Sequence, residues 1–98
     1  MPTPRPRFSV AVFGAQDIDL LLIPVHPSFA EMGEDAQAAV VSEMQSRATS
    51  LDLNGVVVPA WQTADGRTWF HAPPHLLSQL AGMDMRWING HITRQLFW

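Results

Sequence analysis

Four consecutive large aliphatic residues, Leu20 to Ile23, constrain the fold of this chain more than any other feature. No polar residue alternates with them, so a strand formed here must be covered on both faces and must lie centrally in a sheet. The competing interpretation is a buried helix. Pro24 argues against it, because proline disfavours the helical conformation in the residue before it and cannot continue the helical hydrogen-bond ladder. The run therefore predicts a central β-strand.

The residues before this run predict a second strand that pairs with it. Phe8 to Phe13 alternates apolar and small or polar side chains, and Gly14 to Asp17 has the composition of a turn. The two strands are close enough in sequence to form a hairpin. Residues 1–7 alternate proline with polar residues and arginine, and we expect them to be a flexible tail.

The residues after the central run predict a helix. Ser28 and Glu31 have the spacing of a capping box, and Glu34 begins a second helical start with an acidic first turn. An apolar stripe at helical spacing then follows, made of Ala36, Val40, Met44, Ala48 and Leu51. Asn54 and Gly55 are the predicted stop signal.

A second hairpin and a short helix are predicted next. Val56 to Trp61 is rich in β-forming residues, and Trp69 to His71 follows a turn at Ala64 to Gly66. Pro73 and Pro74 suit the first turn of a helix that runs from His75 to Ala81.

Residues 83–98 fit two incompatible structures. As a helix, the segment aligns Met85, Ile88, Ile92 and Leu96 on one stripe. As a hairpin about Asn89-Gly90, it pairs Trp87 with Ile92. Asn-Gly is a strong hairpin signal, and its glycine costs a helix interior about 1 kcal/mol. We therefore predict the hairpin and keep the helix as the alternative.

Together these elements predict one α+β domain over residues 8–98. The expected sheet is mainly antiparallel with the helices packed on one face, in the order ββαββα followed by the C-terminal hairpin. The 98 residues carry a formal charge of −3 and no cysteine, which excludes a disulfide scaffold and a thiolate metal site. Neither a signal peptide nor a membrane span is recognisable, and the charge pattern favours neither nucleic acid nor a membrane, so we expect a cytoplasmic protein.

Histidines are the first candidates for chemistry, because their unperturbed pKa of about 6.5 suits proton transfer. His26 and His71 each lie between a predicted strand and a proline. With Asp17 or Asp19 they define an alternative function, a small metal-assisted or acid/base enzyme. No nucleophile elbow or phosphate-binding loop occurs, and we expect no cofactor and no metal.

The aromatic residues suggest a binding site instead. Trp61 and Trp69 flank the second hairpin turn, and Trp87 lies in the tail. Together with His26 and His71 they are the candidate site for a small apolar ligand.

The C-terminal residues suggest an interface. Leu96, Phe97 and Trp98 are large and apolar, whereas chain ends usually fray. A hydrophobic edge strand is a hazard for a monomer, and a dimer through sheet edges or the tail removes it. The leading hypothesis is thus a noncatalytic binding or interaction module, a homodimer, whose protein partner or ligand is unknown.

Overall fold

The computed structural model describes residues 6–15, 18–80 and 82–97, and within these ranges five strands form one mixed sheet. The strands are β1 (Pro6–Ala15), β2 (Ile18–Pro24), β3 (Val56–Gln62), β4 (Thr68–Phe70) and β5 (Ile92–Phe97). The helices are α1 (Glu34–Ser50), α2 (Pro74–Leu77) and α3 (Met85–Gly90), with 3-10 helices over Pro27–Glu31 and Ser78–Leu80. The predicted α+β class is confirmed. No helix in the described ranges combines the length and apolar character needed to cross a bilayer.

The apolar run occupies the middle of the sheet, as predicted. The strand order β4-β3-β2-β1-β5 gives β2 two neighbours on each side. β2 is antiparallel to β1 and parallel to β3, and β3 is antiparallel to β4, so the first two of the three predicted hairpins are present. All four aliphatic side chains from Leu20 to Ile23 are buried. Central placement follows because such a strand leaves no polar face for water.

The helices lie on both faces of the sheet, which corrects the prediction of one face. Leu20 and Leu22 pack with the α2 and α3 side, whereas Leu21 and Ile23 pack against α1. Successive residues of a strand point to opposite faces, so an unbroken aliphatic run requires a cover on each side. α1 supplies one layer, and the segment from α2 to α3 supplies the other.

The helical segment begins and ends through contacts that the sequence patterns did not indicate. His26, rather than Ser28, caps the first 3-10 helix, and its Nδ1 accepts the Ser28 N–H at 3.1 Å. α1 then begins at Glu34 as predicted. It ends in a Schellman motif, in which the Leu53 N–H donates to the Ala48 carbonyl at 2.9 Å. Asp52 has the positive φ of 60°, so it is the left-handed residue, and Asn54-Gly55 lies beyond the stop.

Gly55 has a different role, in the close approach of β3 to β2. A Cβ added there would lie 2.7 Å from the Asp19 carbonyl oxygen, and Gly55 has a φ of +151°. Only glycine fits this position without displacing backbone.

The C-terminal segment is neither a hairpin nor a continuous helix. Asp84 caps α3 by accepting the Trp87 N–H at 2.8 Å, and Asn89-Gly90 closes this helix instead of turning a hairpin. β5 then pairs antiparallel with β1. The long-range pairing prevails because it buries Ile88 and Leu96 in two separate clusters of the core, which a local hairpin would not reach.

A bulge in β5 directs its side chains to different faces. Val10 pairs with Arg94 and Ala11 pairs with Ile92, so Thr93 is an extra residue in the ladder. Ile92 therefore packs on the α3 side, while Leu96 packs on the α1 side. In a regular strand, residues four apart would lie on the same face. β1 also begins at Pro6, two residues earlier than predicted, so residues 6 and 7 are not part of a flexible tail, and residues 1–5 lie outside the described residues.

Candidate functional site

Aromatic side chains meet at the end of the sheet where β2 and β3 terminate. The Phe29 ring, from the first 3-10 helix, lies 5.5 Å from the Trp61 ring and 5.5 Å from the His71 ring. Trp69 is the cross-strand partner of Trp61, so both side chains project from the α1 face. The structure thus brings together Trp61, Trp69 and His71 from the predicted set.

The members of this cluster differ in exposure. Trp61 is buried against Phe29, whereas Trp69 is 47% exposed and is the most exposed large apolar side chain described. The indole Nε1 of Trp69 donates to the Thr63 hydroxyl at 3.3 Å. The indole of Trp69 is therefore held at its N–H while about half of the residue remains exposed.

The β3–β4 turn that holds Trp69 is itself cross-linked. The Thr63 hydroxyl donates to the Asp65 carboxylate, which also accepts the Arg67 backbone N–H at 3.1 Å. These hydrogen bonds, the Thr63 contribution being the larger, lower the pKa of Asp65 below its ordinary value. Arg67 also lies 3.6 Å from the second carboxylate oxygen. The two charges of the turn therefore satisfy each other.

A groove of about 650 Å³ runs between α1 and His71. Among its described lining residues, only His71 is titratable and the others are neutral. The lining consists of Ala38, Val41, Ser42, Gln45, Ser46, Thr49, Ser50 and His71. The ring nitrogens of His71 have no hydrogen-bond partner among the described residues, and they are open to solvent. The wall of the groove can thus hydrogen-bond a neutral ligand.

The histidine and carboxylate set of the alternative hypothesis is not assembled. His26 and His71 both border the first 3-10 helix, His26 as its cap and His71 through Phe29. The His71 N–H bonds to the Pro59 carbonyl, and Pro59 pairs with Ile23 of β2. Asp19 lies four residues before Ile23, so it is about 13 Å from the level of His71 along the strands. Asp17 lies outside the described residues. Within the described ranges, no three His, Asp or Glu side chains are placed to hold a metal ion.

Trp87 lies on the other face of the sheet, away from Trp61 and Trp69. Its ring contacts Phe13 edge to face at 5.7 Å and stacks on His91 at 4.0 Å. Trp61, Trp69 and Trp87 therefore do not line one pocket, and Trp98 lies outside the described residues.

The free edge of β5 is a second candidate site, for a protein partner. Leu96 is fully buried in the core of its own chain, so its side chain does not reach a partner. The side chain of Phe97, like all of Trp98, lies outside the described residues. A groove of about 520 Å³ borders the edge instead, lined by Leu51, Leu53, Ile92, Thr93, Arg94 and Gln95. No pattern in the sequence indicates this role for Leu51, Leu53 or Arg94.

Backbone alternation identifies which groups of β5 face outwards. The N–H of Val25, the residue after β2, donates to the Ala60 carbonyl of β3 at 2.8 Å. Odd-numbered residues of β2 therefore direct their backbone groups to β3, and even-numbered residues direct theirs to β1. Following the register across β1, Arg94 and Leu96 then face β1. The N–H and C=O of Gln95 consequently point away from the sheet.

No protein-family model matches this sequence, and comparison with curated proteins and with solved structures finds no significant match.

Proposed function

We propose that this chain is a noncatalytic interaction module that forms a homodimer through the edges of two β5 strands. The observation that carries the proposal is the six-residue β5 strand at the end of the sheet, with the backbone groups of Gln95 directed outwards. An uncovered strand of this length is a template for another strand. Antiparallel pairing of two copies about a two-fold axis satisfies both edges at once.

The surface beside β5 supports a second copy as the occupant. Leu51 is 43% exposed and, with Leu53, lines the groove along the edge. In a two-fold pairing, the loops that follow α1 in both copies lie on the same side of the joined sheet. Leu51 and Leu53 of each copy then cover the seam, which removes exposed apolar surface from water.

Charge complementarity points the same way. Arg94 lines the groove, and Asp52 lies between the two leucines. Neither has an oppositely charged partner among the described residues. Placed across a two-fold interface, each Arg94 has a carboxylate within the opposite loop to pair with, although a rim pair of this kind contributes about 1 kcal/mol at most.

The proposal is tested by the mass of the protein in solution. Gln95→Pro removes an outward N–H and no intramolecular ladder bond, so we expect it to fold and to be monomeric. Gln95→Thr keeps the N–H and is the matched control, which should remain dimeric. Sedimentation equilibrium and native mass spectrometry over a range of concentrations give both masses.

Two outcomes contradict the proposal. A wild-type protein that is monomeric at every concentration rules out the homodimer. A Gln95→Pro variant that is folded and still dimeric places the interface elsewhere.

The enzyme hypothesis has less support. Asp19 and His71 are separated along the length of the sheet, so they cannot share a proton or a metal ion in this conformation. The proposed module needs no cofactor, and its cytoplasmic location remains an expectation from composition alone.

A further inference from the structure

We propose that the groove between α1 and His71, together with the exposed face of Trp69, binds a neutral, hydroxyl-bearing ring, that is, a sugar of the pyranose class. β4, which carries Trp69, lies at the opposite edge of the sheet from β5, so this site does not depend on the dimer.

Trp69 supplies the flat surface. Its ring is held at one edge by Thr63, in a turn closed by the Thr63 N–H to Arg67 carbonyl bond of 2.9 Å and the Gly66 N–H to Thr63 carbonyl bond of 2.9 Å. Trp69 follows this turn in β4 and is 47% exposed, and the hydrogen bond at its N–H limits rotation of the ring. The electron-rich face of an indole attracts the slightly positive C–H groups of a saturated ring.

The hydrogen-bonding groups lie in the groove, whose described lining includes His71 but not Trp69, so a ligand must span from the groove to the indole. His71 is two residues after Trp69 and lies on the same face, about 7 Å further along the chain. Opposite it, Ser42 and Ser46 are one turn apart on α1 and both line the groove. Their hydroxyls have no partner among the described residues, in contrast to the Thr49 hydroxyl, which donates to the Gln45 carbonyl at 2.9 Å.

The charge of the site selects a neutral ligand. No Asp, Glu, Lys or Arg lines the groove among the described residues. The adjacent charges on α1, Glu43 and Arg47, lie 3.2 Å apart and pair with each other. An anion would lack a cationic partner, and a cation would lack a carboxylate, so hydroxyl groups are the best match to serine and imidazole donors and acceptors.

The polar groups of the groove argue against a purely apolar ligand, which the sequence suggested. An apolar molecule would leave the hydroxyls of Ser42 and Ser46 and the His71 nitrogens facing it without hydrogen bonds, which costs binding energy. Trp61, the more apolar part of the cluster, is already covered by Phe29.

The test follows the indole N–H resonances by NMR while cellotetraose or maltotetraose is added to the full chain. We expect a saturable shift of the Trp69 resonance with at least one of the two sugars and no shift of the Trp87 resonance. Trp69→Ala should abolish saturable binding, and Ser42→Ala should weaken it about fivefold, the effect of one hydrogen bond. Trp87→Phe, on the other face, is the matched control and should bind as the wild type does.

Three results overturn the inference. The first is the absence of a saturable shift with both sugars. The second is equal sugar binding by a folded Trp69→Ala variant. The third is saturable binding of free indole at Trp69 by a protein that does not bind either sugar, which would assign the site to apolar planar ligands.

Discussion

The two edges of the sheet are built in different ways. At one edge, β4 is only three residues long, so most of β3 extends past it without a neighbouring strand. At the other edge, β5 pairs with β1 over most of its length and exposes its own outer side. Among the described residues, a side chain and a proline block the first edge, and no such group bonds the outward backbone of Gln95 at the second.

The blocked edge uses a side chain and a proline. Gln45, from α1, donates from Nε2 to the Gly55 carbonyl at 2.9 Å and accepts the Val57 N–H through Oε1 at 3.0 Å. Its amide thus takes the place of a neighbouring peptide group. Pro59, two residues further along, has no N–H to offer, and its carbonyl accepts the His71 N–H at 3.0 Å. Neither Val57 nor Pro59 therefore offers a free N–H at this edge of β3.

The contrast between the two edges lies in how their backbone groups are protected. Natural proteins block free edges with prolines, charges or covering groups because an open edge pairs with other chains. Among the described residues, such groups cover β3 at Gly55, Val57 and Pro59, whereas in β5 a side chain bonds the backbone at Thr93, whose carbonyl accepts from Arg94 Nη1 at 3.3 Å. At β5, the outward backbone of Gln95 has only Arg94 as a charged neighbour in the strand, which is the edge that we propose pairs with a second copy.

The largest effect is expected on the inner side of the open edge. Leu96→Ala removes a fully buried side chain from the α1 cluster and should lower the free energy of unfolding by about 2–5 kcal/mol. Urea denaturation measures this loss. Thr93→Ala, an exposed neighbour in the bulge, should change stability by less than about 0.5 kcal/mol. Equal effects from both variants would mean that β5 is not anchored in the core.

The next effect tests the blocked edge. Gln45→Ala removes two hydrogen bonds and should cost about 2 kcal/mol of stability. It should also promote self-association, because the Val57 N–H becomes available. Sedimentation in the Gln95→Pro background isolates this from β5 pairing, with Ser46→Ala as the control on the same helix. Unchanged association would show that Gln45 has no protective role.

A smaller effect of mixed sign is expected beside the open edge. Asp52→Gly relieves a left-handed conformation and should stabilise the fold by about 1 kcal/mol in a thermal melt. The same change removes the carboxylate proposed to pair with Arg94, so the dimer should dissociate more readily. Asp52→Asn, which also tolerates this conformation, should weaken the dimer without the full gain in stability. A dimer unaffected by either variant would remove Asp52 from the interface.

The smallest effect concerns pH and the turn of the blocked side. The pKa of Asp65 is lowered in the folded protein by hydrogen bonds from Thr63 and Arg67, from an ordinary value of 3.8. Its stabilising contribution is therefore present above pH 3.8 and is lost as the pH falls through the lower folded pKa. Asp65→Asn should flatten the acid limb of the stability profile slightly. An acid limb identical to that of the wild type would show that these bonds do not contribute.

Local patterns predicted the elements that depend on local physics. The β1–β2 and β3–β4 hairpins, the start of α1 at Glu34 and the buried Met44 and Ala48 follow from periodicity, turn composition and capping charges. The stripe was less accurate at its ends, since Ala36 and Leu51 are exposed. Helix ends depend on where the sheet stops, and the sequence pattern does not contain that information.

The candidate site was predictable only in part. Trp61 and Trp69 were expected to be neighbours across a turn, and the register pairs them. The contribution of α1, through Ser42 and Ser46, has no signal in the sequence, because exposed serines on a polar helix face are ordinary. Trp87 was grouped with Trp61 and Trp69 by residue type, whereas the fold places it on the other face of the sheet.

The aliphatic content of residues 20–23 was sufficient to require a central, doubly covered strand, because burial of a continuous apolar run has no other solution in a sheet. The tertiary structure decided which elements cover it and which edge remains open. β5 pairs with β1 although 76 residues, 16–91, separate the two strands, and the bulge at Thr93 divides its side chains between two clusters. Such pairing depends on core contacts between distant segments, and these leave no periodicity in either segment alone.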